Sequence, residues 1–254
     1  MEVLVIGDII GKPGRRAVAQ LLPRLRDEYR LDLVIANGEN AAGGIGLTPD
    51  TAEELFVAGV DIITTGNHVW AQRELVPYLD SGASVIRPLN FPPGNAGRGY
   101  ITRGNVAVVN LIGRTFMGNF VDCPFRTMDA LLAELKTPVI IVDFHAEATS
   151  EKVAMGRYLD GRVSAVLGTH THVATADALV LSGGTAYVTD LGMAGPMDSI
   201  IGDDTESVLQ HFVKGLPHRV SVGRGRTMLN SVLLDIDEKT GKARSIERVY
   251  REVD

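Results

Sequence analysis

Glu2-Val3-Leu4-Val5-Ile6-Gly7-Asp8 opens the chain with an apolar run that stops on a glycine and a carboxylate. A short aliphatic run of this kind reads as a buried β-strand. Pro13 then sits near the start of a helical pattern that reaches about Tyr29, and Leu33-Val34-Ile35-Ala36 forms the next strand. Thr48-Pro49 supplies an N-cap and a first-turn proline for a helix through about Ala58. Asp61-Ile62-Ile63-Thr64-Thr65 is a third strand. Strands separated by helices predict parallel βαβ units, whose ligands bind beyond the carboxyl ends of the strands. Asp8, Glu39 and Asn67 all fall at such ends.

Residues 90–99 read as a loop, and residues 100–102 and 106–112 flank Arg103-Gly104-Asn105 as a hairpin. The βα pattern resumes with a helix near 128–135, a strand at 139–142, a helix near 151–159 and a strand at 163–167. Residues 227–236 and 243–251 flank Asp237-Glu238-Lys239-Thr240-Gly241 as a final hairpin. With no linker, repeat or low-complexity tract, the expectation is one α/β domain over residues 1–254, a two-sheet sandwich with helices outside. The chain has 254 residues, enough for such a core, and 45% of them are apolar. The net charge of −6 disfavours a general nucleic-acid or anionic-membrane surface. Cys123 is the only cysteine, so no intrachain disulfide forms and a reducing cytoplasm is expected. No signal-like stretch precedes the first strand, and no apolar run approaches the roughly 20 residues that cross a bilayer.

Four of the six histidines stand beside acids or amides, in Gly66-Asn67-His68, Asp143-Phe144-His145 and Gly168-Thr169-His170-Thr171-His172. With Gly7-Asp8 and Gly38-Glu39-Asn40, these segments follow strand-like runs, so their side chains converge although they are distant in sequence. Oxygen ligands mixed with imidazole suit Mn, Fe or Zn. Two such ions side by side clamp the attacking and leaving oxygens of a phosphate ester. A carboxylate at Glu39 can bridge two cations. Asn67 offers a neutral oxygen, and His68 beside it, on an extended segment, points elsewhere and is free to move protons. His170 and His172 share one face on a strand, or splay to two ions on a loop. Taken alone, Asp8 also suits a turn cap, Glu39 an exposed glycine-rich turn, and the histidines polar turns. His211 and His218 lie in a helix-like stretch and its tail and read as surface residues. Trp70, the only tryptophan, reads as core.

The ordered set Asp8, Gly38-Glu39-Asn40, Gly66-Asn67-His68, His145 and Gly168-Thr169-His170-Thr171-His172 resembles the calcineurin-like metallophosphoesterases. It is most similar to the bacterial YmdB-type subfamily, the 2′,3′-cyclic-nucleotide 2′-phosphodiesterases. The superfamily's Asp-x-His reads Asp8-Ile9-Ile10 here, and its Gly-Asp reads Gly38-Glu39; both departures match the subfamily. The resemblance implies a four-layer αββα sandwich. It implies that Asp8, Glu39, Asn40 and His172 hold one ion and Glu39, Asn67, His145 and His170 the other. Glu39 is then the bridge, His68 the proton donor, and the metals iron and/or manganese. The reaction expected is in-line attack on phosphorus by a metal-bound hydroxide, leaving a 3′-nucleotide. The expected partners are a cyclic nucleotide or other small phosphodiester and further copies of the chain in a homo-oligomer, with neither membrane nor long nucleic acid. A phosphomonoesterase or 3′,5′-cyclic phosphodiesterase would use the same site. A regulatory or RNA-associated binding protein with a structural metal site is the reading from another class.

Overall fold

Two six-stranded sheets carry the chain. The computed structural model describes residues 1–215 and 221–253. In chain order the elements are β1 (Glu2–Ile9), α1 (Gly11–Tyr29), β2 (Leu33–Asn37), α2 (Pro49–Val57), β3 (Ile62–Thr64), α3 (Leu75–Leu79), β4 (Tyr100–Arg103) and β5 (Val106–Ile112). There follow α4 (Pro124–Glu134), β6 (Val139–His145), α5 (Thr149–Leu159), β7 (Ala165–Thr169), β8 (Leu179–Val180), β9 (Ala186–Val188), β10 (Met193–Pro196), α6 (Thr205–Lys214), β11 (Thr227–Ile236) and β12 (Ala243–Val253). The first sheet has the order β12-β11-β10-β1-β2-β3 and the second β4-β5-β6-β7-β9-β8. In the first, β10, β1, β2 and β3 are parallel, β11 runs antiparallel to β10 and β1, and β12 runs antiparallel to β11. In the second, β5, β6, β7 and β9 are parallel, edged by antiparallel β4 and β8.

Side-chain parity along the strands builds four layers. Val3 and Val5 of β1, Ile35 of β2, Val108 of β5, Ile141 of β6 and Val232 of β11 meet in one buried cluster between the sheets. The alternate residues Leu4 and Ile6 pack with Val18, Leu22 and Leu25 of α1 and Leu55 of α2 on one outer face. Val109, Val142 and Phe144 pack with Met128 and Leu131 of α4 and Met155 and Leu159 of α5 on the other. Strands buried on both faces carry no polar alternation, which is why the sequence shows continuous apolar runs. The result is the expected α/β sandwich with helices outside.

Element bounds differ from the sequence expectation in a few places. Pro124 opens α4 four residues before Met128, since proline is preformed for the first turn of a helix. Strand β6 continues through His145, so that histidine lies on the strand rather than after it. Thr48 caps α2 as expected, and its side chain and that of Thr51 bond each other's backbone N–H. The short α3, β8, β9 and β10 carried no clear periodic signal, and β10, Met-Ala-Gly-Pro, is a strand by virtue of its neighbours β1 and β11. Trp70 packs on the core with its ring edge-on to Phe91, as the sequence suggested. No helix among the described residues is long and apolar enough to cross a membrane.

Gly7 tests the close approach of β1 to the segment before β10. A Cβ on Gly7 would stand 1.9 Å from the Gly192 carbonyl oxygen, backbone that cannot swing aside, whereas one on Gly43 meets nothing within 4 Å. Gly7→Ala should therefore destabilise by about 3 kcal/mol through overpacking. Gly43→Ala, at φ 68°, should lose only the roughly 1–2 kcal/mol of left-handed backbone strain. Denaturant unfolding of both variants gives the comparison, and equal losses would contradict it.

Candidate metal centre

The carboxyl ends of the parallel strands of both sheets meet at one edge, and all eight candidate side chains arrive there. Asp8 is next to last in β1, Glu39 and Asn40 follow β2, Asn67 and His68 follow β3, His145 ends β6, and His170 and His172 follow β7. His145 Nε2 lies 3.1 Å from Glu39 Oε1, 2.9 Å from Asn67 Oδ1 and 3.0 Å from His170 Nδ1. Among the described residues, Glu39, His145 and His170 form a triad of donor atoms all within 4.8 Å of one another. On the other side of Glu39, Asp8 Oδ1 is 3.8 Å from His172 Nε2, and Asn40 Nδ2 lies 3.2 Å from that same nitrogen. The 170–172 segment is a loop, and its two imidazoles part company, His170 Nδ1 facing His145 and His172 Nε2 facing Asp8 and Asn40.

The outer ring nitrogens fix which nitrogen faces inward. Thr169 Oγ1 gives its proton to Asp143 Oδ1 at 2.7 Å, so it can only accept from His145 Nδ1 at 2.9 Å. His170 Nε2 lies 3.1 Å from Glu147 Oε2, and His172 Nδ1 donates to the Ile201 carbonyl at 2.6 Å. Each ring thus has an acceptor behind it and its remaining nitrogen aimed at the cluster, the arrangement that orients metal-binding imidazoles. Asp143 is itself tied across the sandwich to Asn37 Nδ2 at 3.1 Å and to the Thr64 hydroxyl. Glycine at 66 is required for closure, since a Cβ there would lie 2.2 Å from Glu39 Oε2 and 2.4 Å from His145 Nε2.

Two features show that the donors fit cations. Asp8 Oδ1 is buried and has no hydrogen-bond partner. A buried carboxylate oxygen left so is costly by about 1–3 kcal/mol or more, and a cation relieves it. The charges are also mutually held. Burial raises the Glu39 carboxyl, but the His145 and His68 imidazoles beside it hold it down at about 2. Burial lowers His145, yet Glu39, then Asp8 and Asp143, push it up to about 9. Asp8 is pushed up to about 6 by burial, against the pull of His172 and His145. His170 is held down at about 3 by burial and by the charge on His145. A proton on His145 Nε2 therefore faces Glu39 Oε1, Asn67 Oδ1 and His170 Nδ1, where the donor atoms converge.

Asn40 and His68 differ in detail from the sequence expectation. Asn40 turns Oδ1 to His68 Nδ1 at 2.9 Å and Nδ2 to Glu39 Oε1 at 3.3 Å, so its oxygen is not aimed at the other donors. Residues 67–70 form a turn, with Val69 N–H on Gly66 O and Ala71 N–H on His68 O, rather than an extended segment. His68 still points away from Asn67 because the turn directs it to Asn40. His211 is exposed on α6, as expected, and His218 lies outside the described residues. Glu147, Thr169, Asp190 and the Ile201 carbonyl were not foreseen. Glu147 two residues beyond His145 and Thr169 before His170 were visible as neighbours of candidate ligands, but nothing in the sequence pairs them. The cavity over the cluster holds about 300 Å³ and is lined by Ile10, Glu39, His68, Glu147, His172 and Asp203, among others.

The chain matches the family model described as YmdB-like protein over residues 4–249. It is 49% identical over 255 residues to a 2′,3′-cyclic-nucleotide 2′-phosphodiesterase of Bacillus subtilis, covering 98% of this chain and 96% of that one. A crystal structure of a hypothetical protein from Thermus thermophilus superposes with a TM-score of 0.94 at 46% identity, covering 99% of each chain. The calcineurin-like phosphoesterase YfkN of Bacillus subtilis superposes with a TM-score of 0.63 at 12% identity, covering 99% of this chain and 90% of that one; it shares the fold.

Proton and cation compete at His145, which gives a pH dependence with a definite sign. Because its folded value is raised to about 9 from 6.5, the site stays protonated through neutral pH. The affinity of metal-free protein for Mn²⁺ should therefore rise with pH, by up to about tenfold per unit, until the pH passes that raised value. Calorimetric titration in buffers of different ionisation enthalpy should show proton release on binding at pH 8. A pH-independent affinity without proton release would contradict the protonated ground state.

Proposed function

The chain belongs to the YmdB-like family, and on that premise we propose that it is a metal-dependent phosphodiesterase that opens 2′,3′-cyclic nucleotides to 3′-nucleotides. The observation that carries the proposal is the buried, unpartnered Asp8 Oδ1 beside a cluster of inward-facing nitrogens and oxygens arranged about Glu39. In this reading Asp8, Glu39, Asn40 and His172 hold one cation, Glu39, Asn67, His145 and His170 hold the second, and Glu39 serves both. Asn40 joins the first set by exchanging the ends of its amide, which nitrogen and oxygen of similar size allow. Iron and manganese are the metals proposed. Divalent cations supply Lewis acidity to a phosphoryl group and make water acidic at neutral pH.

The protein's own contribution is position and proton traffic. His145, His170 and His172 are fixed in one tautomer each by Thr169, Glu147 and Ile201. His68 spends Nδ1 on Asn40 and lines the cavity with its side chain 35% exposed. Its Nε2 is the proton donor to the leaving 2′ oxygen in this proposal. Ile10 and Ile201 give the cavity apolar wall beside the polar floor. A cavity of about 300 Å³ falls within the range of small-molecule sites. The proposal extends to a cytoplasmic setting, suggested by the lone Cys123, to a homo-oligomeric assembly and to one catalytic domain over residues 1–254.

Incubation with 2′,3′-cyclic AMP should yield the 3′-monophosphate, read by chromatography against 2′- and 3′-nucleotide standards. A 2′-nucleotide product, or hydrolysis of simple monoesters alone, would sink the substrate assignment.

His68 separates from the other site histidines by what its loss does. His68→Ala should keep its metal content and slow nucleotide turnover about 10²–10⁴-fold. The defect should shrink on a nitrophenyl ester, whose leaving group needs no proton. His145→Ala, His170→Ala and His172→Ala should lose metal and activity on both esters. A His68 variant that loses metal, or is equally slow on both, removes it from the proton-donor role.

A further inference from the structure

His170 and His172 both lie in the left-handed backbone region, at φ 100° and 64°, with Thr171 between them. Positive φ is uncommon outside glycine and is held against about 1–3 kcal/mol of strain per residue. Two buried carboxylates hold this turn. Asp8 Oδ2 accepts the His170 N–H at 3.1 Å. Asp190, just beyond β9, accepts the Thr171 N–H at 3.1 Å and the Thr171 hydroxyl at 2.7 Å, both on Oδ2. Its Oδ1 takes the Gly192 N–H at 2.8 Å. Lys152 of α5 donates to the same Oδ2 at 2.6 Å, and the two side chains are 1% and 0% exposed.

Lys152 does not line the cavity and touches none of the candidate ligands directly. A Cβ on Gly168 would lie 1.8 Å from the Thr189 carbonyl oxygen and 3.0 Å from Lys152 Cδ, so β7 runs close against both. Buried ion pairs can commonly be exchanged for apolar residues without loss of stability, so the demands of folding do not explain this one. Its geometry does. Three donors converge on one carboxylate oxygen, and two of them belong to the residue that separates the splayed histidines.

We propose that the buried Lys152–Asp190 pair clamps the 170–172 turn and thereby sets the cation affinity of the site, with Lys152 and Asp190 as positioning residues. This rests on the metal-dependent reading above. Asp190 holds Thr171, the strained turn then aims His170 Nδ1 at His145 and His172 Nε2 at Asp8 and Asn40, and Lys152 supplies the counter-charge that a carboxylate needs away from water. Without the clamp the turn relaxes toward ordinary backbone, and both imidazoles leave their positions together.

The test compares metal-free protein with variants by Mn²⁺ calorimetry and by thermal melting. The double variant Lys152→Met, Asp190→Leu should melt below the native protein, because the Thr171 and Gly192 N–H groups lose their acceptor. It should bind Mn²⁺ about 10–100-fold more weakly, the usual consequence of losing a partner behind a metal ligand. The pair Lys152→Met, Asp190→Asn, which keeps an oxygen acceptor for Thr171, should recover most of that affinity. Thr171→Val, which keeps both charges and loses only one donor, covers the case in which the double variant does not fold. It should weaken Mn²⁺ several-fold at an unchanged melting temperature. Native affinity in the folded double variant, or in Thr171→Val, overturns the clamp and leaves the metal reading standing. A native chain that binds no Mn²⁺ overturns that reading itself, and the clamp with it.

Discussion

Two carboxylates, Asp8 and Glu39, are taken out of water where the two sheets meet, and much of the structure answers to that. A buried carboxylate is tolerated only with charge or hydrogen-bond partners. Glu39 has His145 at 3.1 Å and the His68 backbone N–H at 3.3 Å. Among the described residues, Asp8 has the His170 N–H on Oδ2, and its Oδ1 has no hydrogen-bond partner, with His145 and His172 nitrogens each 3.8 Å away. Residues from one sheet are thus answered by imidazoles from the other, so the sandwich must assemble fully before the cluster exists.

Behind the donors stands a layer of polar groups as fully buried as the apolar core. Asp143 receives Asn37 and Thr64 from one sheet and Thr169 from its own, and so ties the sheets together at the level of His145. Ile201 sits at φ 49°, unusual for a β-branched residue, with its carbonyl on His172. Non-glycine residues with positive φ at this edge include His170, His172 and Ile201, and buried polar groups such as Asn37, Thr64, Asp143 and Thr169 stand beside them. Such concentration marks functional sites, because rigid placement there is bought with strain that the rest of the fold must outweigh.

The electrostatics follow from the same burial. His145 carries its proton well above the ordinary imidazole range, and His170, next to it, stays neutral. One charged and one neutral ring at 4.7 Å between centroids satisfy the acids without crowding two positive charges. A site so balanced exchanges a proton for a cation with little rearrangement of the surrounding backbone, since the histidine donors already face inward.

The sequence by itself determined the layers and the membership of the site. Apolar runs ending in Asp8, Glu39, Asn67 and His145 place polar side chains at the carboxyl ends of parallel strands, and that edge gathers them whatever the loop details. Thr48-Pro49 and the 100–112 hairpin were legible because caps and turns are local chemistry. Tertiary structure alone decided the partners. Short strands such as β10 exist only because neighbours complete their hydrogen bonds. The turn at residues 67–70 replaced an extended segment because the chain must carry His68 to Asn40. Nothing local in the sequence pairs Lys152 with Asp190, 38 residues apart, or Asn37 with Asp143, 106 apart. Such pairings depend on which buried charge lacks a partner once the sheets have closed, and that is a property of the packed interior rather than of any stretch of chain.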